Sequence, residues 1–161
     1  ELAVAQRQGR LQRNFQGYTT HGHCDLIGLG VSSISQIGDL YCQNNSDINA
    51  YQSSLDSGQL ATARGLQCNA DDCVRRAVIQ QLICSFSLDF ASIENASNIE
   101  FRSYFNDCWP ALQQMARDQL ISLTSTGINI LPAGRLLARS VCMLFDHYLN
   151  EQSRQRFSRV I

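Results

Sequence analysis

Lysine is absent from this 161-residue sequence, and all thirteen basic side chains are arginines. Set against fourteen acidic residues they leave a net charge of −1. That near-balance removes the electrostatic basis for gripping nucleic acid or an acidic membrane surface. No apolar run reaches the length a bilayer span requires. The first seventeen residues carry three arginines and no apolar stretch, so they hold nothing like a secretory leader, and a cytoplasmic location is expected. The chain opens on Glu1-Leu2-Ala3 instead of methionine, and the native start is expected upstream. The seven cysteines form no iron–sulfur spacing. Their odd number argues against a complete disulfide framework, and Cys68 with Cys73 is one loose pair, a poor zinc signal. What is present is ample apolar material: 44% hydrophobic residues with only 17% charged, enough for one domain or one domain plus a fragment of another.

The pattern predicts an α+β chain, mainly helical. Residues 1–14 are helix-compatible and then polar. Residues 25–34, DLIGLGVSSI, are apolar without clean alternation and predict a buried strand or a glycine-rich strand-loop, the pattern of a strand covered on both faces. A short helix is expected over 47–57, capped by Ser46 or Asp47 and closed by Gly58, followed by a strand over 60–68. At Asn69 the character changes. Asn69 can cap a helix, Asp71 and Asp72 suit its positive end, and both stand four residues before Arg75 and Arg76. Val74, Val78 and Leu82 form that helix's apolar stripe. A helix follows near Phe90–Asn98, and another from about Glu100 that Pro110 interrupts near Trp109. Ile121 and Leu123 alternate, as do Ile128 and Ile130, around Ser125-Thr126-Gly127, which predicts a hairpin. A last helix is expected from Pro132 to Leu149 and carries His147. The order suggests a winged-helix-like unit over 69–161, preceded by a different unit over 1–68.

Several motifs invite chemistry. Gly28-Leu29-Gly30 is a fragment of a phosphate-binding loop without its third glycine or helix, so close backbone approach explains it better. His21-Gly22-His23-Cys24-Asp25 offers borderline ligands or a Cys–His pair, but a polar loop entering a strand accounts for it better, and no metal is expected. The winged-helix-like order suggests DNA, yet residues 110–119 hold only Arg117 as a base and the wing at 124–129 holds none, so no nucleic-acid partner is expected. The tail Arg154–Ile161 is solvated surface, or a latch through Phe157 and Ile161.

The segment Arg13-Asn14-Phe15-Gln16-Gly17-Tyr18-Thr19-Thr20 resembles the RNFQGYTT segment of the oxygen-independent coproporphyrinogen III oxidases. The likeness continues through 25–35 and 37–39, then 72–79, 82–84 and 134–137, and closes on Phe157-Ser158-Arg159-Val160-Ile161. It implies a radical S-adenosylmethionine (SAM) enzyme that converts two propionates of coproporphyrinogen III to vinyl groups, giving protoporphyrinogen IX in haem biosynthesis. A [4Fe–4S] cluster on a Cys-x3-Cys-x2-Cys motif would reduce SAM, and the resulting 5′-deoxyadenosyl radical would abstract a hydrogen. That motif has no counterpart here, so the chain alone is expected to be inactive and to bind neither cofactor. By the same resemblance, residues 1–68 are the last piece of a partial (β/α) barrel whose remaining N-terminal part is the expected partner. Gln16 and Ile34 are expected near SAM, with Phe15 as an apolar wall. Arg13, Arg135 and Arg159 are candidates for the substrate carboxylates, since a guanidinium fork matches a carboxylate. The strand at 25–34, deprived of barrel neighbours, is expected to promote self-association. A related family of haem chaperones is the main alternative, and a winged-helix interaction module is the other.

Overall fold

The computed structural model describes residues 1–149. Among them α-helical residues outnumber strand residues, and every strand pair is antiparallel. A short helix α1 (Leu2–Arg7) leads into a hairpin of β1 (Gln12–Asn14) and β2 (Gly17–Thr19), with Arg13 opposite Tyr18. Next comes a meander of β3 (Ile34–Ile37), β4 (Leu40–Asn44) and β5 (Thr62–Gln67). Gly38 and Asp39 make the tight turn between β3 and β4, where Gly38 takes φ +56°. Helix α2 (Ile48–Asp56) links β4 to β5, with Asp47 accepting the Ala50 N–H at 2.8 Å and Gly58 at φ +70° just beyond its end.

Helix α3 (Ala70–Ser85) is the backbone of the molecule. Asn69 and Asp72 form a reciprocal capping box at its start. Asp72 is thereby occupied, so the expected Asp72–Arg76 pair is replaced by Arg76 with Asp39, while Asp71 does pair with Arg75 at 2.7 Å. Val74, Val78 and Leu82 enter the main core. After α3 come β6 (Ser87–Asp89), α4 (Phe90–Ser97), α5 (Phe101–Tyr104), α6 (Trp109–Arg117), β7 (Ile121–Leu123) and β8 (Gly127–Ile130). Glu100 caps α5 through the Ser103 N–H, and a 3-10 turn (Asn106–Cys108) makes the break before Pro110. β8 sits between β6 and β7 in a second three-stranded sheet. Phe101 stacks on Phe90 at 4.1 Å and meets Phe105, which in turn meets Phe145 edge-on at 5.2 Å.

Two expectations are corrected. Residues 25–33 are a loop, with one bridge from Leu26 to Gln36 and β3 starting only at Ile34. Ile27 and Leu29 are 69% and 86% exposed, and the loop is held by polar tethers instead of strand pairing. The unpaired strand from which self-association was expected is therefore not formed. The last helix is also shorter. Residues Pro132–Leu137 form a 3-10 segment, and α7 spans only Ala138–Met143, which leaves His147 in a turn. Within the 3-10 segment the Gly134 backbone lies so close to the Leu120 carbonyl that a Cβ would sit 2.1 Å from it.

Candidate functional site

The hairpin tip presents Phe15 and Gln16 outward. The Asn14 side chain accepts the Gln16 N–H at 2.9 Å, and Gly17 takes φ +123°, a turn that favours glycine. Phe15 is 57% exposed, and its ring meets Tyr41 of β4 edge-on at 5.7 Å. The Gln16 side chain is exposed and makes no hydrogen bond among the described residues. Below the tip the stem is held by α3: Gln80 accepts the Arg13 N–H at 3.2 Å and donates to the Arg13 carbonyl.

Ile34 is half-buried at the start of β3, opposite Gln43. Gly28 backs directly onto it, where a Cβ would lie 2.8 Å from the Ile34 carbonyl oxygen. The Gly28 N–H donates to buried Ser35 Oγ at 3.0 Å. Asn44 Nδ2 donates to the Gly30 carbonyl at 3.0 Å and to Ser33 Oγ at 3.1 Å, and the Gly30 N–H donates to the Tyr51 hydroxyl at 3.1 Å. These tethers, with the Leu26–Gln36 bridge, hold the loop against β3, β4 and α2. Ser35, Asn44 and Tyr51 carry no local sequence signal for this, because their partners come from other elements.

Phe15, Gln16 and Ile34 thus supply an exposed ring, an unengaged amide and an aliphatic group on hairpins that touch through Tyr41. These are the three residues for which the sequence resemblance implies a position near SAM, with Phe15 as the wall. A cavity of about 540 Å³ lies elsewhere, between α3 and the loop that carries His23 and Asp25, with Gln12, Asp39, Arg76 and Gln80 on its walls. None of the three residues expected near SAM lines it. His23 and Cys24 do, while the His21 and His23 rings stand 6.3 Å apart. Among the described residues no three His, Cys, Asp or Glu side chains are grouped to hold a metal. These residues do not fit an iron–sulfur cluster, which needs converging thiolates.

The arginine candidates are positioned separately. Arg13 lies over the Tyr18 ring at 5.5 Å and Arg135 over Phe86 at 5.2 Å; neither makes an ion pair among the described residues. Arg159, the FSRVI terminus and the latch residues Phe157 and Ile161 lie outside the described residues.

A second cluster escaped the sequence reading. Asp39 accepts from Arg76 at 2.6 Å and from the Cys73 thiol at 3.4 Å, and its carbonyl accepts the Cys68 N–H at 2.8 Å. The Arg76 bond, then the Cys73 bond, hold the Asp39 carboxyl below its ordinary value. Burial alone would lower the Arg76 pKa, but its bonds to Tyr41 and Asp39 outweigh that and raise it. Burial pushes the Cys73 thiol up, and the bond to Asp39 adds to this, so Cys73 is a poor nucleophile.

Residues 69–137 match the family model of the HemN C-terminal domain. Over its whole length the chain is 69% identical to an oxygen-independent coproporphyrinogen III oxidase of Pseudomonas aeruginosa and 49% identical to that of Escherichia coli, covering 35% of each. A solved structure from E. coli, described as coproporphyrinogen III oxidase (HemN), a radical SAM enzyme, superposes with a TM-score of 0.89 at 48% identity. That match covers 92% of this chain and 34% of the solved one. The chain spans about a third of the length of the curated relatives it matches. In sequence and in fold it is similar to about a third of the length of these oxygen-independent coproporphyrinogen III oxidases.

Proposed function

We propose that this chain is the C-terminal part of an anaerobic coproporphyrinogen III oxidase, which removes two propionate carboxyls as carbon dioxide and leaves vinyl groups, forming protoporphyrinogen IX. The observation that carries the reading is 69% identity along all 161 residues to a curated member. SAM with a [4Fe–4S] cluster, held by the rest of the full-length protein, would supply the hydrogen-abstracting radical. The residues of this chain orient and enclose. Phe15 and Ile34 offer apolar contact to the adenosyl group, and the Gln16 amide offers it a hydrogen bond. Arg13, Arg135 and Arg159 are available for substrate carboxylates; for the first two, the lack of an ion pair among the described residues supports this.

The division into 1–68 and 69–161 is part of the proposal, and a family match starting at residue 69 supports it. The second unit is winged-helix-like: α3, β6, two helical stretches and then the β7–β8 hairpin, with β8 central, follow that order. Its hairpin turn carries Thr124, Ser125 and Thr126 and no base, which favours a packing role over DNA. The first unit would be the last piece of the partial barrel, and the exposed Ile27, Leu29 and Leu60 suit a surface covered by the remaining polypeptide. A cytoplasmic location belongs to the same reading; no helix among the described residues is long and apolar enough to cross a membrane.

The test uses the full-length protein with Arg13→Ala, Arg135→Ala and Arg159→Ala in an anaerobic turnover assay. At least one should raise KM for coproporphyrinogen III by about tenfold, the effect of losing one charge-assisted carboxylate contact. Unchanged kinetics in all three would remove the arginines from the substrate site.

A further inference from the structure

We propose that Arg76 is a positioning residue for the SAM-facing turn, holding the Phe15 ring, and with it Gln16, through Tyr41. The inference rests on the reading of Phe15 and Gln16 as a wall of the SAM site and adds a residue remote from it in sequence.

Helix α3 presents two stripes. Val74, Val78 and Leu82 face the core, while Cys73, Arg76 and Gln80, spaced three and four apart, face the two N-terminal hairpins. Gln80 holds the stem of the first hairpin through both backbone groups of Arg13. Arg76 reaches the second hairpin: one nitrogen donates to Asp39 at 2.6 Å, and the other to the Tyr41 hydroxyl at 3.3 Å and the Gly38 carbonyl at 3.5 Å. Its guanidinium also lies 5.8 Å from the Tyr41 ring centre. Tyr41 is therefore held at its hydroxyl and along its ring, and that ring is what Phe15 meets edge-on, at an interplanar angle of 82°. Without it, Phe15 loses the one aromatic ring it packs against among the described residues.

An exposed ion pair alone contributes little. Arg76 differs because one planar fork engages a carboxylate, a hydroxyl and a carbonyl on the same turn and strand. A lysine can keep the Asp39 attraction but cannot reproduce that fork. Gln80 holds the hairpin stem independently, whereas the contacts that run from Arg76 to the Phe15 ring pass through Tyr41, so the effect of removing Arg76 should depend on whether Phe15 is present.

The experiment measures equilibrium dialysis of radiolabelled SAM against the anaerobically reconstituted full-length protein, alongside KM, kcat and the unfolding midpoint. Arg76→Ala should weaken SAM binding by about tenfold and raise its KM to match, with kcat changed by less than about threefold. Phe15→Ala should do the same, and the double variant should be little worse than either, which is the signature of coupled residues. Arg76→Lys should fall between parent and Arg76→Ala. It also carries the test if the alanine variant does not fold, since Arg76→Lys binding like the parent would then overturn the proposal. An Arg76→Ala protein that binds SAM within about twofold of the parent, while Phe15→Ala is impaired, overturns the proposal alone. Should Phe15→Ala also bind normally, the reading of the turn as SAM-facing falls first and takes the proposal with it. A lowered unfolding midpoint with unchanged SAM affinity would make Arg76 purely structural and likewise overturn it.

Discussion

Burial pushes the Cys84 thiol up to about 11, and the Cys142 thiol likewise. Cys84 lies against Leu11 and Ala5, and Cys142 within the main core, so both behave as small hydrophobes. Cys24 is exposed. A thiol reagent at pH 8 should therefore modify Cys24 in the native protein, and Cys84 and Cys142 only on unfolding, a difference peptide mapping reads directly. The sign of the pH dependence follows. These pKa values are raised above the ordinary 9.0, so their contribution is complete below pH 9 and is lost as pH climbs towards about 11, where the unfolded chain has released protons the native chain keeps. Urea midpoints should fall between pH 9 and 11, and less so in a Cys84→Ala, Cys142→Ala variant. Both cysteines stand in helices, Cys84 in α3 and Cys142 in α7, among apolar residues. The Asp39–Arg76 pair was not legible in the sequence, because its members are 37 residues apart. Sequence spacing instead matched Arg76 with Asp72, which is already committed to capping.

At the scale of the element, capping and turn chemistry were the clearest signals. Asn69, Asp47 and Glu100 all cap the helices they precede. Asn69→Ala should cost about 1 kcal/mol in chemical denaturation, with the Asn69→Asp variant near parental stability. Strand β6 went unseen because Ser87-Leu88-Asp89 has one apolar residue and no period to read. The loop at 25–33 misled because its density of Leu, Ile and Val imitates a buried strand. Its glycines were the truer signal: Gly30 takes φ +100° and Gly28 lies against the Ile34 backbone. Gly127 and Gly134 are tighter still, with a Cβ at 2.3 Å from the Leu88 carbonyl oxygen and 2.1 Å from that of Leu120. Each obstacle is backbone, which cannot swing aside. Gly134→Ala and Gly127→Ala should each lower stability by about 1–3 kcal/mol, read as a fall in the urea midpoint at constant slope.

Across the whole molecule, one apolar core joins α3 to the helices and sheet that follow it, and a small second cluster ties α1 and Leu11 to Cys84. Phe101 is fully buried among Phe90, Phe105 and Phe145, so Phe101→Ala should destabilise by about 3–5 kcal/mol in thermal or urea unfolding. The helical order from 69 onward was legible where α3, α4 and α5 open on capping side chains and where α3 carries its apolar stripe. The arrangement of the hairpins was not, since it depends on Arg76, Gln80 and Tyr41 reaching across elements. The candidate SAM wall came from the likeness of RNFQGYTT and GVSSIS to a family, and the structure joins its two hairpins through the Phe15–Tyr41 contact. The most direct measurement is an anaerobic assay of the full-length protein after cluster reconstitution, supplied with SAM, a reductant, an electron acceptor and coproporphyrinogen III. The account predicts SAM-dependent formation of protoporphyrinogen IX, lowered by about tenfold or more in Gln16→Ala. An intact cluster with no turnover, together with tight haem binding, would contradict it and point to the related haem chaperones.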